Sequence, residues 1–226
     1  MTSYKQKTWN DFCGRFEINN SCVPLFKCEG NVVSTIEIGR TNRRFVLERS
    51  HQMESLVIHE AAKVIQNYNE DQERFEGLIY MMCRKEGKMI IPLYIGKTEK
   101  YGRRSGNLSA NIMNIETNSH KFCRWGYAYA YHIGDLSAVV CEGHPDKRKN
   151  GKYMKWADKL FKSHPSPTPI LNHPTYFWVH AWEKGETGIW KEFGQTSLTF
   201  LEYLLIGVAS DLFPNDILND EGVNRH

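Results

Sequence analysis

The chain has 226 residues, a formal net charge of +3 and a hydrophobic fraction of 41%. This length can bury the core of one domain with additions, and so small a net charge does not by itself require a nucleic-acid partner. The sequence has six cysteines without a C-x-x-C pair, no signal peptide and no apolar run of membrane-spanning length. We therefore expect a cytoplasmic protein with no membrane partner. Three cysteines leave a zinc site open as an alternative to ordinary thiols, although their spacing matches no common zinc module: Cys13, Cys22 and Cys28.

Residues 1–75 are predicted to form an N-terminal extension. Two β-strands are expected at residues 31–39 and 44–48, because both runs are apolar and a basic turn separates them. An amphipathic helix should follow, with Ser50 as its N-cap. We interpret this part as a layer that packs on a core, with dimerisation or DNA contact as the alternatives.

The most informative stretch is residues 77–104. Two apolar runs, residues 78–83 and 89–95, are separated by a polar linker that contains a glycine, which predicts an antiparallel β-hairpin. Pairing of these strands should bring the phenols of Tyr80 and Tyr94 into one neighbourhood. Tyrosines beside fixed cations suit the binding of phosphate. The cations that follow the hairpin are Lys97, Lys100, Arg103 and Arg104.

Two different segments follow the hairpin. Residues 107–117 have apolar side chains at helical spacing and predict a short helix. Within residues 121–140, Tyr127, Tyr129 and Tyr131 alternate with alanines, so a strand here would place three phenols on one face. Such a face would either stack on nucleic-acid bases or form an ordinary aromatic ladder between strands.

A basic helix is predicted within residues 146–164. One of its faces is apolar and should be buried, whereas the opposite face carries lysines at helical spacing. This face would bind phosphates without reading the base sequence, or it would be a solvated surface. The lysines of this face are Lys152, Lys155, Lys159 and Lys162.

The C-terminal part supplies a third strand and a central helix. Residues 176–182 predict a buried strand of the core sheet, and residues 197–213 predict a helix that is apolar nearly all round. Glu202 interrupts this apolar helix. A buried carboxylate needs a compensating cation or metal. The alternative is a capping box with Thr199, which requires the helix to begin at Thr199.

Several of these features recur in one known family. The two hairpin strands carry an aliphatic-tyrosine pair and a Tyr-Ile-Gly tripeptide, and an arginine follows ten positions after the second tyrosine. A glutamate in a later helix and an asparagine in the loop after it complete the pattern, which resembles the GIY-YIG nucleases. The chain departs from the family at Leu78, where the first motif has glycine, and at Leu108, which is often histidine. The matching residues are Ile79, Tyr80, Tyr94, Ile95, Gly96, Arg104, Glu202 and Asn219.

The resemblance implies a metal-dependent DNA endonuclease that hydrolyses phosphodiester bonds. It leaves open whether the role is restriction or another form of defence, DNA repair or the movement of a mobile element. Glu202 would be the direct protein ligand of Mg²⁺ or Mn²⁺, and Arg104 would share the negative charge of the phosphate. Tyr80 would be the general base on the resemblance, and the residues themselves leave Tyr94 open as the alternative. Because a free phenol has a pKa of about 10, Lys97, Arg104 and the metal would have to lower it. The implied catalytic residues are Tyr80, Tyr94, Lys97, Arg104, Glu202 and Asn219.

The fold that the resemblance implies is α+β, with a small GIY-YIG-like core in residues 76–226. This core would be a three-stranded antiparallel sheet flanked by helices, with a large insertion at about 118–174 before the third strand. DNA is the expected partner, and a homodimer is left open. A catalytically silent DNA-binding module of the same fold is the alternative to an enzyme. The predicted DNA contacts are Lys100, Arg103, Lys152, Lys155 and Lys159.

Overall fold

The computed structural model describes residues 3–39, 43–102, 106–123, 129 and 131–224. Within these ranges the protein is an α+β structure, as predicted, and helices pack on both faces of an antiparallel sheet. No helix in the same ranges is long and apolar enough to cross a membrane. The helices are α1 (Tyr4–Arg15), α2 (Ile18–Ser21), α3 (His51–Asn69), α4 (Ile133–Val140), α5 (Gly151–Leu160) and α6 (Leu198–Leu212). The strands are β1 (Val23–Pro24), β2 (Cys28–Glu29), β3 (Val32–Val33), β4 (Thr35–Ile38), β5 (Arg44–Leu47), β6 (Phe75–Glu86), β7 (Met89–Glu99) and β8 (Tyr176–Glu183).

The central sheet contains the predicted hairpin and the predicted third strand. Its strand order is β1-β8-β6-β7, and each neighbouring pair is antiparallel. Gly87 has a φ of 60°, which suits the tight turn between β6 and β7. The short strand β1 was not predicted and adds a fourth strand beside β8. The other edge of the sheet is β7, and we call the side of β7 that faces away from β6 the outer edge.

Alternate side chains of the hairpin enter two different hydrophobic cores. Leu78, Tyr80 and Met82 belong to a core that also contains residues of α3, α4 and α5. Ile79 and Met81 belong to a second core on the opposite face, where α1 and α6 pack. Since both faces are covered, β6 is buried along most of its length.

The N-terminal segment takes part in both cores. Trp9 of α1 is fully buried, and its Nε1–H donates a hydrogen bond of 2.9 Å to the carbonyl of Ile90 on β7. The helix α3 begins after Ser50, as predicted, and the Ser50 hydroxyl accepts a hydrogen bond of 2.9 Å from the N–H of Met53. Residues 1–75 therefore supply a strand and two covering helices to the same sheet as the rest of the chain.

The predicted helix at residues 107–117 is wrong, because the chain forms successive turns there. Asn114 has a φ of 65°, in the left-handed region, which an α-helix cannot continue through. Two apolar side chains of this segment are nevertheless fully buried, those of Ile112 and Ile115.

The tyrosine-rich segment does not form the predicted strand where the structure describes it. Tyr131 and His132 have φ values of 51° and 57°, and the helix α4 begins directly after them. Tyr131 is fully buried, whereas the ring of Tyr129 lies elsewhere, 4.8 Å below the guanidinium of Arg49. Tyr127 lies outside the described residues. Neither described phenol therefore belongs to an exposed stacking face.

Candidate functional site

Tyr80 lies in the middle of β6, opposite Gly96 on β7, and is 1% exposed. Aromatic rings of Phe122, Tyr131 and Phe177 surround it, with centroid distances of 5.6, 5.4 and 6.0 Å. Burial raises the pKa of the Tyr80 phenol well above its usual value, and nearby Cys123 and tyrosine groups raise it further. Solvent does not reach this phenol and burial keeps it neutral, which counts against the predicted role of Tyr80 as base.

The glycine of the Tyr-Ile-Gly tripeptide has a packing role. A Cβ atom on residue 96 would lie 2.6 Å from the Oη atom of Tyr80. Only glycine leaves room for the phenol to lie across the neighbouring strand. The glycine at position 96 is therefore required by the buried side chain of Tyr80. The sequence pattern alone did not indicate this.

Tyr94 lies nearer the surface than Tyr80. The two rings stack with centroids 6.5 Å apart, so the predicted proximity of the two phenols is confirmed. Burial raises the pKa of Tyr94, and the charges of Cys123 and Glu202 add to this effect. The Nζ of Lys152 lies 5.0 Å above the Tyr94 ring. Both tyrosines are therefore neutral phenols at neutral pH.

Glu202 lies on α6, half-buried beside the outer edge of β7, where the backbone N–H of Lys97 donates a hydrogen bond to its carboxylate. Burial raises the pKa of this carboxyl, the Lys97 charge and N–H oppose that shift, and the nearby carboxylates of Glu99 and Glu221 increase it. The capping-box alternative is wrong, because α6 begins at Leu198. The N–H of Leu198 instead bonds to a carboxylate oxygen of Glu76 at 2.6 Å.

Asn219 lies at the same edge, two residues of β7 away from the Lys97 N–H. Its Oδ1 accepts a hydrogen bond of 3.0 Å from the N–H of Ile95, and its Nδ2 donates one of 2.8 Å to the Ile95 carbonyl. The N–H of Leu218 also donates to the carbonyl of Leu93 at 2.7 Å. The segment after α6 is therefore attached to the outer edge like a short extra strand.

The predicted cations have different environments. Lys97 forms an ion pair with Glu99. Lys100 is 1% exposed, and its Nζ donates hydrogen bonds to the Asn67 side chain at 2.9 Å and to the Gln72 carbonyl at 2.5 Å. The predicted DNA contact of Lys100 is therefore wrong, because a phosphate cannot reach it. Arg103 and Arg104 lie outside the described residues.

The lysine face of α5 is partly covered by the segment that follows α6. Lys155 forms an ion pair of 3.4 Å with Asp220, and Lys159 forms one of 2.7 Å with Asp216. Lys152 is half-buried over Tyr94, so burial lowers its pKa. Lys155 and Lys159 therefore compensate acidic side chains of the same molecule. No local pattern in the sequence pairs these two lysines with the two aspartates, which lie about sixty positions later in the chain.

In the described part of the chain, no group of three or more His, Cys, Asp or Glu side chains is arranged to hold a metal ion. The zinc alternative for Cys13, Cys22 and Cys28 is therefore wrong. A site with one carboxylate ligand does fit Glu202, because a hard divalent cation prefers oxygen and would offset the repulsion from Glu99 and Glu221.

No protein-family model, curated protein or solved structure matches this chain.

Proposed function

We propose that this protein is a metal-dependent DNA endonuclease of the GIY-YIG type. The supporting observation is the convergence of distant residues at the outer edge of β7. Asn219 bonds to Ile95, which lies 124 positions earlier in the chain, and Glu202 bonds to the N–H of Lys97. These residues come from the same three elements that carry the family motifs: the hairpin, the last helix and the loop after it.

In this proposal Glu202 holds Mg²⁺ or Mn²⁺. When bound, the cation supplies positive charge beside the phosphate and lowers the pKa of water. Lys97 donates its backbone N–H to the Glu202 carboxylate and so orients it. Tyr94, as a neutral phenol, donates a hydrogen bond to the water or to a phosphate oxygen. The proposed role of Arg104 remains the binding of phosphate charge, and Tyr80 packs beneath Tyr94 without taking a proton.

Plasmid cleavage with Mg²⁺, compared with cleavage in a chelator, tests the proposal. Wild type should nick or linearise plasmid with Mg²⁺ alone, and Glu202→Gln should reduce the rate at least about 100-fold, because a neutral amide is a poor metal ligand. Glu116→Gln is the matched control, since Glu116 is an exposed carboxylate to which the proposal assigns no role. Mg²⁺ should also raise the melting temperature of wild type but not of Glu202→Gln. Equal cleavage by Glu202→Gln would overturn the assignment.

A catalytically silent DNA-binding module is the second candidate. The observation that favours it is the burial of Tyr80 together with the raised pKa of both tyrosines. Such a module would bind duplex DNA equally well with Mg²⁺ or with a chelator, and it would leave plasmid intact. The two candidates therefore give opposite results in the same assay.

A further inference from the structure

The three lysines of α5 that were predicted to contact DNA have different surroundings. Lys155 and Lys159 form ion pairs with Asp220 and Asp216. In the part of the chain that the structure describes, the Lys152 ammonium forms neither an ion pair nor a hydrogen bond, although Lys152 is half-buried. Lys152 therefore lacks the counter-charge that the other two lysines have, and its three N–H donors are available to an anionic group.

The Lys152 ammonium lies over three buried aromatic rings. Its Nζ is 5.0 Å from the ring centroid of Tyr94, 5.6 Å from that of Trp156 and 5.8 Å from that of Tyr153. None of these three side chains is more than 9% exposed. Cation–π contacts attract an ammonium but contribute no formal negative charge. The rings therefore hold the charge of Lys152 beside Tyr94 without neutralising it.

The position of Lys152 in α5 also favours an anion. Its backbone N–H donates a hydrogen bond of 2.9 Å to the side chain of the N-cap residue Asn150, so Lys152 lies in the first turn. The helix dipole gives this turn a positive partial charge, which favours acidic side chains and disfavours lysine. The first turn of α5 contains no acidic residue. The dipole therefore adds to the charge of Lys152 instead of offsetting it.

Lys152 and Glu202 belong to one electrostatic neighbourhood. The charge of Glu202 acts on Tyr94, over which the Lys152 ammonium lies. The charge of Glu221 acts on both Glu202 and Lys152, and the charge of Asp220 acts on both Tyr94 and Lys152. A phosphate beside Tyr94 would therefore be near the Lys152 ammonium and also near the carboxylate that is proposed to hold the divalent cation.

We propose that Lys152 binds a nonbridging oxygen of the scissile phosphate beside Tyr94 and stabilises the negative charge of this phosphate during hydrolysis. The inference rests on the proposed function and extends it by assigning one residue of α5 to the reacting group. The sequence predicted several equivalent lysines that contact the DNA backbone. The structure distinguishes Lys152 from Lys155 and Lys159, whose charges are paired within the molecule.

Duplex binding in chelator tests this contact without cleavage. Lys152→Met keeps an unbranched side chain over the rings but removes the charge. Between about 50 and 200 mM salt, the slope of the logarithm of the binding constant against that of the salt concentration should become shallower by about one, because one phosphate contact is lost. Lys7→Met is the matched control and should keep the wild-type slope, since Lys7 is exposed on α1, which covers the opposite face of β7.

Equal slopes for wild type and a folded Lys152→Met protein would overturn the proposal, as would a wild type that binds no duplex. Lys152→Gln is a second neutral variant that should give the same loss, so misfolding of the methionine variant would not decide the result. Circular dichroism and the melting temperature identify the folded variants.

Plasmid cleavage with Mg²⁺ tests whether the phosphate that Lys152 binds is the reacting one. Lys152→Met should lower the cleavage rate at least about 30-fold, whereas Lys152→Arg, which keeps the charge, should lose less than about tenfold. Undiminished cleavage by Lys152→Met would overturn this inference and leave the proposed function intact. A wild type that binds duplex but leaves plasmid intact would overturn the proposed function and, with it, the assignment of Lys152 to a scissile phosphate.

Discussion

At the scale of single residues, Tyr80 and Tyr94 have different roles although their motifs are alike. Tyr80 fills the space above Gly96 and contacts only buried groups among the described residues. Tyr94 lies between Lys152, the neighbourhood of Glu202 and the rings of His132 and Trp156. If either phenol contacts a substrate, it is Tyr94.

The Tyr80→Phe variant therefore distinguishes a packing role of the Tyr80 side chain from a chemical role of its hydroxyl. We expect this variant to lose about 1 kcal/mol of stability or less, because only a hydroxyl is removed. It should keep at least about half of the cleavage rate of wild type, whereas Tyr94→Phe should lower the rate at least about tenfold. Plasmid cleavage at equal protein concentration measures both. Loss of cleavage in a fully folded Tyr80→Phe protein would support Tyr80 as the general base after all.

Glu202 also makes stability depend on pH. Because burial raises its pKa in the folded state, the folded protein binds this proton more tightly than the unfolded chain. The stabilisation from Glu202 is thus fully present below the unfolded pKa of about 4.3 and is lost as the pH rises through the raised folded pKa. The Glu202→Gln variant has no carboxyl that titrates at this position, so its stability does not fall in this way as the pH rises.

Without divalent cations, we expect Glu202→Gln to melt at a higher temperature than wild type at about pH 8 and to lose this advantage at about pH 4. Thermal melts in chelator at a series of pH values measure the difference. A constant difference across the series would show that the pKa of Glu202 is the same in the folded protein and in the unfolded chain, which would contradict the prediction.

At the scale of elements, the outer edge of β7 is closed by the segment after α6. An unpaired edge strand tends to pair with other chains, and the Asn219 amide prevents this at Ile95. The same segment places Asp216 against both Arg84 and Lys159. It thereby links the hairpin to α5.

Asn219→Ala tests this closure. The substitution removes two hydrogen bonds to Ile95, so we expect a loss of about 2 kcal/mol in the free energy of unfolding. Hydrogen exchange at the Ile95 amide should become faster, while exchange in the centre of β6 should change only through the global loss. Asn69→Ala, at the end of α3, is a control with little expected effect. Unchanged protection of Ile95 would contradict the structural role of Asn219.

At the scale of the whole molecule, residues 1–75 cannot be separated from the sheet. The helix α1 covers the face of β7 opposite Tyr94, and β1 pairs with β8. Without these elements, Ile90 and its neighbours would face water. A fragment with residues 76–226 alone should therefore fail to fold stably.

Trp9→Ala measures the contribution of α1. Trp9 is fully buried and bonds to Ile90, so its truncation should lower the free energy of unfolding by about 3–5 kcal/mol. Tyr4→Ala on the same helix should cost less than about 1 kcal/mol, because Tyr4 is 59% exposed. Urea denaturation of both variants decides the matter. Equal effects would mean that α1 contributes little to the core.

The sequence by itself determined the elements whose signals are local. Alternating and helical apolar spacing predicted the hairpin, the strand at residues 176–182 and the helices α3, α5 and α6, because period and capping depend on near neighbours. Tertiary structure decided which of these residues are accessible. Tyr80 and Lys100 are buried by segments far away in the chain, and Lys155 and Lys159 meet carboxylates about sixty positions later. Burial and ion pairing depend on which segment packs on the surface of a helix or strand. A local sequence pattern does not indicate which distant segment that will be.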